Sequence, residues 1–211
     1  MIKTLVDWFD LRLGVRDFYD RHIAYPLPEG LNIWHVFGGL TIGCILIQFI
    51  TGFYMLWYYI PLPDLAHQSI NDMCNQTSFG ALFRNVHRYS ATLTIVFIFI
   101  HFIHILAKRS YRPPRELNWW TGLTLALVFV MFLITGVVMP WDWRSYWELV
   151  IWTDWIGTIP LLGEYIKGPM LYYFSLGRNF SLHIYFLPAI FVGLVLIHII
   201  LFRRLGLSKK V

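Results

Sequence analysis

Long stretches of this chain carry no charge. No Lys, Arg, Asp or Glu lies between Glu29 and Asp64, between Arg88 and Lys108, between Glu116 and Asp142, or between Arg178 and Arg203. Each stretch is as long as the roughly 17–20 apolar residues with which a helix crosses a hydrocarbon layer. The pattern predicts four spans, over about 33–60, 85–107, 117–139 and 180–202. Four crossings put both termini on one side. Ahead of them, Ile2, Leu5, Phe9 and Leu13 recur every three or four residues among Asp7, Asp10, Arg12, Arg16 and Asp17. That spacing predicts one amphipathic helix on the membrane surface, with a solvated helical tail as the alternative. The stretch of about 140–179 holds Trp141, Trp143, Trp147, Trp152 and Trp155. It predicts one or two short surface helices with Trp at headgroup depth, punctuated by Gly157, Pro160, Gly163 and Gly168-Pro169. The expected organisation is a surface segment over 1–30 and a four-helix membrane domain over 31–211, all-α throughout.

Composition agrees with a bilayer and excludes ordinary water-soluble enzymes, disordered chains and disulfide-rich modules. Of the 211 residues, 57% are apolar and 14% charged, against about 45–50% and 25% in soluble domains. Seventeen Lys and Arg give a net charge of +5. Twelve of them fall in the N-terminal segment (Lys3, Arg12, Arg16, Arg21), the short loop after the second span (Lys108, Arg109, Arg112, Arg115) and the C-terminus (Arg203, Arg204, Lys209, Lys210). That asymmetry predicts both termini on the cytoplasmic face or its equivalent; a bacterial inner membrane is the expected setting and a thylakoid the less expected one. These cations flank membrane spans, so no nucleic-acid partner is expected. Residues 1–30 lack the apolar stretch of a secretory leader. Cys44 and Cys74 are far apart in sequence and depth, and no C-x-x-C-H box occurs, so both read as structural.

Four histidines inside the spans carry the chemistry. His87 and His101 lie 14 residues apart in the second span, His183 and His198 15 apart in the fourth. Fourteen residues are close to four turns, so each pair keeps near one helix face, separated by about 21 Å. The second and fourth spans run parallel. His87 therefore meets His183 near the outer surface, and His101 meets His198 near the inner one. Two facing imidazole pairs are what two six-coordinate haems require. Four separately hydrogen-bonded histidines are the plainer alternative, and a zinc site would need further ligands that the spacing does not supply. Gly38 and Gly52 in the first span, and Gly122 and Gly136 in the third, repeat the 14-residue interval. Glycine permits a flat macrocycle to approach the backbone, although small residues also serve plain helix packing. Arg84, Arg88 and Arg178 cluster beside the outer pair, where anionic haem propionates would need partners. Lys108, Arg109, Arg203 and Arg204 lie near the inner pair, where ordinary membrane flanking is the favoured explanation.

The residues Arg84-Asn-Val-His87-Arg88, His101, Arg112-Pro-Pro-Arg115-Glu116-Leu-Asn-Trp119, Pro140-Trp141-Asp142, Ser181-Leu-His183 and His198 together resemble the cytochrome b family. The 15-residue interval and the end after a fourth span resemble its short, split b6-type form. The resemblance runs from about Asn32 to Ser208. It implies a four-helix bundle enclosing two non-covalent haem b groups, in a quinol-oxidising complex of the bc or b6f kind that runs a Q cycle. It places His87 and His183 on the low-potential haem, His101 and His198 on the high-potential haem, and Arg84, Arg88 and Arg178 on propionates. Gly136 to Asp142 and the surface helices that follow would wall the quinol-oxidation site. Arg203, and less clearly Asp20, would lie near the quinone-reduction site. Val36 stands where the photosynthetic form has a cysteine that tethers an extra haem, so no covalent haem is expected. His104 stands where the family usually has Arg; a hydrogen bond to a propionate is the favoured role, with proton transfer or space-filling as alternatives. No Pro-Glu-Trp-Tyr motif occurs, so a separate subunit is expected to supply it. A Rieske-type iron–sulfur protein, a c-type cytochrome and a homodimeric complex are the other implied partners. A dihaem anchor linking a dehydrogenase or hydrogenase to quinone, and a cofactor-free transporter or structural bundle, are the rival readings.

Overall fold

The computed structural model describes residues 2–22, 24 and 33–206. They divide into two units, one ending at residue 32 and a larger one from Ile33 onward.

The first unit holds α1 (Ile2–Leu13) and α2 (Val15–His22). The single predicted helix is broken at Gly14, whose φ of +59° is costly for any residue with a side chain. Arg16 fastens the break. Its guanidinium pairs with Asp7 and, at 3.4 Å, with Asp10, and its backbone N–H donates to Asp10 Oδ1 at 2.7 Å.

The second unit is a bundle of four long apolar helices, so the chain is an all-α integral membrane protein. A 3₁₀ turn (Ile33–His35) leads into α3 (Val36–Leu56). Then come α5 (Gly80–Ala107), α6 (Glu116–Val138) and a fourth crossing over Leu176–Leu205. The helices differ from the charge-free windows at their ends. α3 stops before about 60 because Pro61 and Pro63 disfavour the helical region for the residues ahead of them. α5 begins at Gly80 and includes Arg84 and Arg88, since a window without charges marks the hydrocarbon and not the whole helix, and arginines near an end reach out to the interface. The fourth crossing begins at Leu176, where the Ser175 hydroxyl accepts from the Arg178 N–H as an N-cap at 3.2 Å.

That fourth crossing is composite. α9 (Leu176–Ser181) passes through a π-helical turn (Leu182–Phe186) into α10 (Leu187–Leu205). The π turn resolves an apparent mismatch in spacing. At about 100° per residue, 14 residues end about 40° short of a full turn and 15 about 60° past one. A π turn takes up one extra residue, so the 15-residue interval of this helix behaves as 14.

Three shorter helices lie between the crossings. α4 (Ala66–Gln76) follows α3 and is absent from the expectation. Its sequence is polar, yet Ala66, Ser69, Ile70 and Met73 form a buried stripe at helical spacing. Where one or two short helices are expected, there are two, α7 (Trp143–Gly157) and α8 (Gly163–Tyr172). Gly157, Pro160 and Gly163 bound the gap between them. Gly168-Pro169 lies inside α8 instead of ending it, because an exposed helix tolerates the loss of one amide as a bend. Lys167 reaches Asp154 at 2.7 Å and ties α8 to α7; that hydrogen bond, with the charges of Asp154 and Glu164, raises its pKa against the opposing effect of burial. Cys44 is buried and Cys74 half-buried, and both are free.

α5 packs on α3, and α10 packs on α6. Among the described residues α5 and α10 do not form a packed pair.

Candidate functional site

Each of the four intramembrane histidines lies against one glycine. A Cβ added to Gly52 would come 3.3 Å from His87 Cε1, and one on Gly136 would come 3.0 Å from His183 Cε1. The corresponding distances are 3.2 Å from Gly38 to His101 and 3.3 Å from Gly122 to His198. Such approaches are tighter than side-chain carbons ordinarily make. The glycines thus make room for imidazoles, where the sequence suggested room for a macrocycle. By contrast, a Cβ on Gly39, Gly43 or Gly193 would meet nothing within 4 Å.

The imidazoles form two groups. His183 is within electrostatic range of His87, and His101 of His198. Within α5 the two groups are separated by about 21 Å of helix. The His87 group lies toward the end bearing α7, the His101 group toward the 108–115 loop. All four rings are half-buried.

A threonine immediately before the glycine fixes three of these rings. Thr51, Thr121 and Thr135 Oγ1 lie 2.8 Å from Nδ1 of His87, His198 and His183. Each hydroxyl gives its own proton to a carbonyl of its helix, Ile47 at 2.6 Å, Asn118 at 2.9 Å and Met131 at 2.7 Å. It has only a lone pair left for the ring, so Nδ1 must carry the hydrogen. Nε2 is then the nitrogen with the free lone pair, the form in which neutral imidazole ligates a metal. The sequence carries the signal as Thr-Gly at 51–52, 121–122 and 135–136, which spacing alone did not single out. The fourth glycine is preceded by Phe37, and His101 Nδ1 has no hydrogen-bond partner among the described residues. Gln48 adds a brace by donating to the His87 carbonyl and to Ser90 Oγ.

The paired imidazoles, His87 with His183 and His101 with His198, fit a haem iron, which they would hold through Nε2. Among the described residues no three His, Cys, Asp or Glu gather as a cage for a bare metal ion.

The other candidates are placed less uniformly. Arg84 lies within electrostatic range of Asp142. Arg88 is exposed on α5, one residue past His87. The Arg178 guanidinium donates to the Tyr173 carbonyl at 2.6 Å. His104 is buried one turn beyond His101, its ring set edge-on to His35 with centroids 4.6 Å apart. Arg203 is exposed in the last turn of α10, Asp20 lies in α2, and Val36 opens α3. Arg115 clasps the far end of the fourth crossing, donating to the Gly206 carbonyl at 2.8 Å and to Leu205 at 3.2 Å.

Pro140-Trp141-Asp142 forms the junction between α6 and α7. Trp141 takes a φ of +49°, rare for a bulky residue, and stacks on Phe174 with centroids 5.6 Å apart. Asp142 caps α7, accepting from the Ser145 N–H at 2.8 Å and its hydroxyl at 2.9 Å. Partial burial pushes its carboxyl up, but these bonds and the nearby charges of His67 and Arg84 prevail and hold it below the ordinary value of 3.8. Tyr59 Oη donates to the Met139 carbonyl at 2.7 Å and ties this junction to the end of the first crossing.

Residues 22–206 match the family model described as "Cytochrome b/b6/petB". The chain belongs to the cytochrome b family. It is 34% identical over 211 residues to cytochrome b6 of Prochlorococcus marinus (strain MIT 9515), covering 98% of this chain and 97% of that one. Cytochrome b6 of Synechococcus sp. (strain CC9311) is 35% identical with the same coverage. Among solved structures, a chain of the "Hyperthermophilic respiratory Complex III" superposes with a TM-score of 0.87 at 29% identity. The match covers 97% of this chain but only 56% of that one.

Proposed function

We propose that this chain is the dihaem b-type subunit of a quinol oxidoreductase of the bc or b6f kind. It carries electrons across the membrane between a quinol-oxidation site and a quinone-reduction site, as in a Q cycle. The observation that carries this reading is the fourfold pairing of histidine with glycine, in two groups on helices that pack with other partners. Family membership and the likeness to a respiratory complex III chain support it. His87 and His183 would hold one non-covalent haem b, His101 and His198 the other. Haem bound there would supply one-electron redox chemistry. The chain's own residues fix the imidazole tautomers, open the backbone for the rings and set the separation. Arg84, Arg88 and Arg178 would meet propionates at the α7 end, and His104 is a candidate at the other. The α6–α7 junction with α7 and α8 would wall quinol oxidation, and Arg203 would lie near quinone reduction.

The expected partners are a subunit carrying a Pro-Glu-Trp-Tyr motif, a Rieske-type protein and a c-type cytochrome, in a homodimeric complex. The expected setting is a bacterial inner membrane with both termini cytoplasmic. A reduced-minus-oxidised spectrum of the isolated complex should show b-type bands. His183→Ala should remove one haem and leave the other, whereas loss of both or neither in a folded protein would refute the pairing. A complex that holds haem but lacks a Rieske-type protein would favour the dehydrogenase or hydrogenase anchor.

A further inference from the structure

The two depths differ in how their imidazoles are held. Toward α7, both rings donate Nδ1–H to a threonine, His87 to Thr51 and His183 to Thr135, each at 2.8 Å. Toward the 108–115 loop only His198 does so, to Thr121 at 2.8 Å. His101 Nδ1 is buried without a hydrogen-bond partner among the described residues. The reason is local. Gly38 stands to His101 as the other glycines stand to their histidines, but the preceding residue is Phe37, whose ring lies 5.9 Å from Phe97 and 6.2 Å from Trp34, centroid to centroid.

We propose that this count of threonine hydroxyls, two at one depth and one at the other, sets the order of the two reduction potentials. Thr51, Thr121 and Thr135 are on this view positioning residues that tune the metal through the ring. The inference rests on the dihaem reading above. An imidazole that donates Nδ1–H to an oxygen pushes more electron density onto Nε2, which makes it a more basic ligand and favours the oxidised iron. A depth with two such bonds is harder to reduce than a depth with one. The asymmetry therefore sends electrons from the α7 end toward the 108–115 loop, the direction the proposed function requires. Gln48 acts on the His87 backbone and not on its ring nitrogen, so it does not enter the count.

A potentiometric titration of the isolated complex, followed in the b-type bands, tests this. Thr51→Val and Thr135→Val keep the shape and remove the acceptor. Each should raise the midpoint at the His87–His183 depth and leave the other unchanged. Thr51→Ser should restore the original value. Phe37→Thr should lower the midpoint at the His101–His198 depth by giving His101 Nδ1 an acceptor. Haem bands with unmoved midpoints in both Val variants, or shifts of opposite sign, would overturn the proposal while leaving the dihaem reading intact. Absence of b-type bands in the unaltered complex would instead overturn that reading. Should Phe37→Thr fail to assemble for want of its ring contacts, the Val and Ser variants decide alone.

Discussion

Gly136 and Gly39 differ in nothing but their surroundings, and the difference is informative. A methyl group on Gly136 would press on His183 Cε1 at 3.0 Å, while one on Gly39 would touch nothing within 4 Å. Overpacking a tight contact costs about 1–3 kcal/mol, and here the ring must move to relieve it. On the proposed dihaem reading, Gly136→Val should therefore deplete the haem that His183 would hold and disturb the spectrum, while Gly39→Ala should leave haem content and spectrum unchanged. Equal behaviour of the two variants would contradict the assignment of Gly136. The histidines and glycines were legible in the sequence because a 14-residue interval recurs in several spans. The threonines were not, because spacing counts positions and says nothing of which neighbour turns its hydroxyl toward a ring.

The helices show the same contrast between what periodicity reveals and what it misses. All four crossings were visible as uncharged stretches, because lipid excludes charge whatever else a helix does. α4 was missed because its buried stripe is built partly of Ala and Ser, which do not register as a hydrophobic run. The π turn was hinted at only by one interval being 15 and not 14. It leads to a sharp expectation. Deleting Tyr185, which is exposed, should convert the turn to plain α-helix and preserve both of the proposed haems. Deleting Leu93 from the regular α5 should swing His101 by about 100° relative to His87 and cost one haem; pyridine haemochrome stoichiometry would distinguish the two. The α6–α7 junction gives a second test. Asp142→Ala removes the α7 cap and should destabilise by about 1 kcal/mol, read as a lower melting temperature. The Asp142 carboxyl is held below its ordinary value of 3.8. Its contribution is thus fully present above that value and disappears as pH falls through the lower folded pKa. The gap between parent and Asp142→Ala should close on acidification and stay constant near neutrality.

The bundle pairs α3 with α5 and α6 with the fourth crossing, each pair supplying one glycine and one histidine at each of two depths. Neither pair is complete alone, which is why the arrangement could be anticipated only by combining topology with spacing. The resemblance adds an expectation at Val36: haem staining of the chain after denaturing electrophoresis should leave it colourless, and a stained band would reverse that expectation. The interval between the two depths has a further consequence. It is written into four helices at once, so if the two depths carry electrons as proposed, no point mutation can lengthen or shorten the path between them. A substitution can change how hard each step is, but a change of distance needs whole turns inserted in every crossing together. Evolution is free to retune this conductor and scarcely free to rescale it.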